Sequence, residues 1–117
     1  MSSQPPIDLN QLSEILGTDE AETLSEMLTL FIDTFPPMLS PLKTALESQQ
    51  PIALHDAAHA AKSASSNAAA PRLTALLRYL EIEASSENWG AFSEAIEEVK
   101  SEFDLIAQFC RNRQAEN

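Results

Sequence analysis

The stretch from Leu54 to Glu81, LHDAAHAAKSASSNAAAPRLTALLRYLE, constrains the chain more than any other. Placed on a helix at about 100° per residue with His59 at zero, His55, Asp56, Lys62, Ser63 and Ser66 fall within about 60° of His59. Leu54, Ala57, Ala61, Ala64, Ser65 and Ala68 fall on the opposite side, at about 120° to 180°. A helix that only fills a core uses Leu, Ile or Phe on its inner face. Here the inner face is small, so neighbouring backbones are expected to come close. Ala60 and Ser63 beside the imidazole leave it unobstructed. The pattern presents a histidine to solvent.

The rest of the chain reads as helices arranged around that stretch. Pro5-Pro6 cannot join a helix, so residues 1–6 are expected to be a disordered lead. Asp8 caps a first short helix, with Gln11 as reciprocal partner, apolar residues Leu9, Leu12, Ile15 and Leu16, and Gly17 as its stop. A second helix is capped by Thr18 or Asp19, and its stripe runs through Leu24, Leu28, Phe31, Phe35, Met38 or Leu39, Leu42 and Leu46. Pro36-Pro37 interrupts its hydrogen-bond ladder, giving a kink or two collinear helices, with Ser40-Pro41 as one restart. Pro51 and Pro71 each take the first position of a helix. Leu73, Leu76, Leu77 and Leu80 form the stripe of the helix after Pro71. The last helix is expected from about Trp89 to Arg111, with Phe92, Ile96, Val99, Phe103, Ile106 and Cys110 inward and residues 112–117 as a frayed tail. No segment alternates as a strand does. The expected fold is all-α: one domain over 1–117, an antiparallel up-down four-helix bundle with a short additional N-terminal helix.

Composition narrows the chemistry. Eighteen acidic against seven basic residues leave a net charge of −11, which opposes nucleic-acid and anionic-membrane surfaces. No apolar run is long enough to span a bilayer, and the first ten residues lack the form of a secretory signal. A single cysteine, Cys110, fits a reducing cytoplasm. With only Gly17 and Gly90, the chain has no phosphate-cradling loop, dinucleotide fingerprint or nucleophile elbow. His55 and His59 stand at metal-ligand spacing, but only Asp56 joins them locally, so no metal site and no cofactor are expected. The acidic run Glu94, Glu97, Glu98, Glu102 and Asp104 reads as a solvated outer face, and Arg72 and Arg78 as solvated or ion-paired.

Ala58-His59-x-x-Lys62-Ser63-x-Ser65, followed by Asn67, Ala70, Leu73, Leu76 and Leu80-Glu81, resembles the signature of histidine-containing phosphotransfer (HPt) domains. The resemblance covers about two dozen residues directly. Ser63 and Ala69 stand where that family usually has Gly, Ala61 where Leu is usual, Ala64 where Ser is usual, and Leu77 where Cys is common. The resemblance implies a phosphorelay carrier: His59 as phosphoacceptor, with Lys62 stabilising the phosphoryl group as a compact cationic donor. Like-charge repulsion from Lys62 would also favour the neutral, nucleophilic imidazole. Ser63 and Ser66 add hydroxyl donors. His55, Ala60, Ser63, Ser66 and Asn67 form the surface on which a partner docks.

The implied partners are response regulator receiver domains and a hybrid sensor kinase. The receiver brings aspartate and Mg²⁺, so the chain, a cytoplasmic monomer, performs no catalysis alone. A second reading, from a different class, is an acidic helical adaptor that binds a partner domain without covalent phosphotransfer. An acid-labile, base-stable phosphate on the protein separates the two.

Overall fold

The computed structural model describes residues 5–116, with side chains described through Arg113. Six α-helices follow in order: α1 (Leu9–Leu16), α2 (Ala21–Thr34), α3 (Leu39–Ser48), α4 (Pro51–Asn67), α5 (Pro71–Glu83) and α6 (Trp89–Glu116). No strand occurs among the described residues. Consecutive α2 and α3 together form one side of a four-helix bundle completed by α4, α5 and α6. The short α1 packs on α2 at one end. At about 1.5 Å per residue, α6 runs nearly the whole 44 Å length of the molecule.

The proline positions decide where helices start. Phe35 still donates to the Phe31 carbonyl at 2.9 Å, but Pro36 and Pro37 have no N–H to give, and the chain tightens into a 3₁₀ turn over Pro36–Met38. The helix resumes at Leu39, just ahead of the Ser40-Pro41 pair. Pro51 and Pro71 occupy the first positions of α4 and α5. Of the lead, residues 1–4 lie outside the described residues, and Pro5 and Pro6 precede α1 without helical structure. Ile7, which the sequence reading passed over, is fully buried and anchors this approach. At the other end, α6 continues past Arg111 to Glu116; Asn117 lies outside the described residues.

Caps differ in detail from expectation. Asp8 accepts from the Gln11 backbone N–H at 3.1 Å, but no reciprocal bond from Gln11 is needed. The Asp8 N–H instead donates to the Ala69 carbonyl at 2.8 Å, which ties α1 to the turn between α4 and α5. Gly17 ends α1 at φ 71°, the left-handed conformation that glycine adopts without steric cost. Before α2 the Thr18 hydroxyl accepts from the Glu20 N–H, and Glu20 is the N-cap position.

The core is one cluster. It holds an aromatic trio, Phe31, Phe35 and Phe103, with Phe35 stacked on Phe103 at 5.0 Å between ring centroids, and a separate buried ring, Phe92. The α6 stripe Phe92, Ile96, Val99, Phe103, Ile106 and Cys110 is buried throughout, as are Leu73, Leu77 and Leu80 of α5. Ile15, expected on the apolar face of α1, is instead 45% exposed. Glu102 also departs from expectation: it is buried, not part of the solvated face, and both its oxygens accept from Arg72 Nε at 3.2–3.3 Å. A buried carboxylate needs such a partner.

Candidate functional site

On α4, Leu54, Ala58, Ala61, Ser65 and Ala68 are fully buried, while Ala57 and Ala64 are half-buried. The small residues bring α4 against α5 as the most closely engaged helix pair in the molecule. Ser65 is the polar exception. Its hydroxyl lies 2.8 Å from that of Thr74 and donates to the Lys62 carbonyl at 2.9 Å. With its one proton used in that way, Ser65 accepts from the hydroxyl of the half-buried Thr74, which also lies 2.8 Å from the Ala70 carbonyl, and this contact joins α4 to α5.

The α4–α5 turn accounts for one departure from the family pattern. Ala70 N–H donates to Ser65 O and Ala69 N–H to Ser66 O, both at 3.0 Å, a Schellman arrangement with Ala69 at its left-handed position. Ala69 has φ +57°, where a Cβ costs about 1–2 kcal/mol relative to glycine. The methyl group that incurs this strain is buried in the core, and its burial offsets part of the cost.

His59 and Glu81 stand at nearly equal distance from this turn on the two helices, so the turn sets them side by side. Glu81 Oε2 accepts from His59 Nδ1, and Glu81 Oε1 accepts from Lys62 Nζ at 2.7 Å. One carboxylate therefore joins the histidine to the lysine. Glu81 is 12% exposed and Lys62 23%, whereas the His59 side chain is 61% exposed. The Lys62 hydrogen bond, then that of His59, hold the Glu81 carboxyl below its ordinary value of 4.5, against the opposing effect of desolvation. An ionised carboxylate only accepts, so the proton of this bond resides on Nδ1. In the neutral tautomer that carries this proton, Nε2 holds the free lone pair, and it lies on the exposed side chain.

The sequence reading paired His59 with Lys62 but gave Glu81 no role beyond ending a motif. Its signal was present: an acidic residue at the matching height of the next helix in a tight hairpin. The repulsion expected from Lys62 is also recast, because its ammonium is engaged by the same carboxylate that binds the imidazole. Ser63 is exposed, but its hydroxyl donates to the His59 carbonyl at 3.1 Å and is spent on its own helix.

His55, Ala60, Ser66 and Asn67 are exposed on α4. The His55 ring lies parallel to that of His59, with centroids 6.4 Å apart, and bonds Asp56 at 3.1 Å. Beside them is a feature that the polar reading of this face missed. A groove of about 330 Å³ is lined by His55 and Glu81 together with Pro51, Ile52, Ile82 and Ser85. Ile52 is 78% and Ile82 65% exposed. Among the described residues no group of three or more His, Cys, Asp or Glu gathers as a metal site, and no helix is long and apolar enough to cross a membrane.

No curated protein sequence matches the chain. Its fold is similar to the crystal structure of histidine-containing phosphotransfer protein B (HptB) from Pseudomonas aeruginosa PAO1, with a TM-score of 0.83 at 23% identity, over 98% of this chain and 99% of that one. The family model for the Hpt domain matches residues 26–109, from within α2 to near the end of α6. The chain belongs to the Hpt domain family, a family of phosphorelay carriers rather than catalysts.

Proposed function

We propose that this carrier receives its phosphoryl group on His59 Nε2 from a receiver-domain aspartate and passes it to a response regulator. The observation that carries the reading is the Glu81 bond to Nδ1, which leaves Nε2 free on an exposed ring. In transfer, the Nε2 lone pair forms a bond to phosphorus while the acyl phosphate P–O bond breaks and the aspartate leaves as carboxylate. The imidazole keeps its Nδ1 proton and gains positive charge, which the Glu81 carboxylate stabilises. Lys62 is placed to donate to phosphoryl oxygens. The aspartate and its Mg²⁺ belong to the receiver.

Ile52 and Ile82 give that receiver an apolar anchor on one side of His59, while Ala60, Ser63, Ser66 and Asn67 offer a low, polar surface on the other. His55 lies between anchor and ring. The donor is a hybrid sensor kinase, and the chain works as a cytoplasmic monomer, in keeping with its strong negative charge and its single, buried cysteine.

The test is labelling by a phosphorylated receiver domain, or by a hybrid kinase with ATP and Mg²⁺. The parent protein should acquire one acid-labile, base-stable phosphoryl group, and ATP alone should transfer none. His59→Gln should abolish uptake while the chain stays folded, with at most a small fall in melting temperature from the lost hydrogen bond to Glu81. His55→Gln should retain it. Loss with His55→Gln alone would move the acceptor by one helical turn, and no labelling by a full panel of receivers would favour the adaptor reading.

A further inference from the structure

We propose that the groove between α5 and α6 is a docking site for a basic amphipathic helix of a partner protein, on a face separate from His59. The groove has a volume of about 520 Å³. Arg72, Leu76 and Tyr79 form one wall, and Glu98, Glu102 and Leu105 the other. Both walls repeat at i, i+4 and i+7, two aligned ridges of about 10 Å, the span over which a helix lays its own i, i+4, i+7 anchors. Leu105 is 54% and Tyr79 39% exposed among the described residues. The Arg72–Glu102 ion pair bridges the two walls.

Charge selects the occupant. Glu98 in the wall and Glu94 one turn earlier on α6 are exposed acids along one rim. The nearby cations are already engaged, Arg72 with Glu102 and Lys100 with Glu97. A helix with Lys or Arg flanking its apolar stripe complements this rim. A second copy of the chain, itself at −11, would meet it with like charge. Tyr79 and Glu81 point to opposite sides of α5, about 160° apart around its axis. A helix in the groove therefore leaves His59 open, and the carrier is able to stay tethered to one protein while exchanging phosphate with another.

The test titrates the full isotope-labelled chain with a synthetic helical peptide carrying Leu at i, i+4 and i+7 and Lys elsewhere. Controls are its Glu-for-Lys counterpart and a peptide of the same composition with the leucines scattered. Amide shifts should map to Leu76, Tyr79 and Leu105, and the Lys peptide should bind at least about tenfold tighter than either control. Leu105→Asp and, independently, Glu98→Lys should each weaken it about tenfold, with phosphate uptake unchanged. Shifts centred on another face, equal binding of the controls, or indifference to both substitutions would overturn the proposal. So would self-association that Leu105→Asp abolishes, because it would assign the groove to a second copy.

Discussion

The two sides of the bundle are packed by opposite means. Where α2 and the Pro36–Met38 turn meet α6, the core is filled by volume: Phe31, Phe35 and Phe103 interlock at 5.0–6.0 Å between centroids. Where α4 meets α5, it is filled by proximity: Ala58, Ala61, Ser65 and Ala68 let two backbones close together. Large rings tolerate small adjustments in helix position because each makes many weak contacts. An alanine interface has no such latitude, since a single added methylene group separates the helices. The proposed phosphoacceptor sits on the side without latitude. Holding Glu81 against both His59 and Lys62 requires that α4 and α5 keep a fixed separation, and small residues define that separation more tightly than large ones do.

This contrast predicts that stability and transfer respond separately to core changes. The largest stability loss should come from Phe35→Ala, about 3–5 kcal/mol by urea unfolding, with transfer by the folded fraction nearly unaltered. Ala61→Leu should cost less, about 1–3 kcal/mol, yet slow phosphate uptake more, because it pushes α5 and Glu81 away from His59. If both variants lost transfer in proportion to stability, the division between the two sides would not hold.

Glu81→Gln sharpens the comparison on the α4–α5 side. The Glu81 carboxyl is held below 4.5 in the folded chain, so its contribution to stability is present above that pH and lost as pH falls through the depressed value. Parent and variant melting temperatures should therefore differ at pH 7 and converge in acid. Parallel curves down to pH 3 would deny the bridge a role in stability.

The smallest effect belongs to a turn remote from both packing schemes. Gln49 ends α3 at φ 52°, exposed and with no buried methyl group to offset the strain. Gln49→Gly should raise stability by about 0.5–1 kcal/mol in thermal unfolding and leave transfer unchanged.

The fold was largely legible because its signals are local. Proline at Pro51 and Pro71, glycine at Gly17 and the period of the α6 stripe each state a boundary or a face within a few residues. The site was legible only in half: His59 and Lys62 share a helix, so spacing alone brings them together. Glu81 lies one helix later, and its role depends on the height at which a hairpin aligns two chains. Glu102 was misread for a different reason. It stands three residues after Val99 and four before Ile106, on the apolar stripe itself, and only its place within a run of acids suggested solvent. Ala69 shows the reverse case, a position whose preference for glycine was visible by resemblance but whose backbone cause, a left-handed turn, was not.

The shared Glu81 carboxylate bears on how far downhill the loaded carrier lies. An intermediate in a relay must be neither so unstable that it hydrolyses nor so stable that it keeps its cargo. With Lys62 already hydrogen-bonded at rest, an arriving phosphoryl group gains only the difference between its own attraction for the ammonium and that of Glu81. When the group departs, the carboxylate is there to take the lysine back. On the proposed mechanism, the charge that would otherwise deepen the phosphohistidine well is largely spent before loading, which keeps the free-energy profile of transfer shallow in both directions.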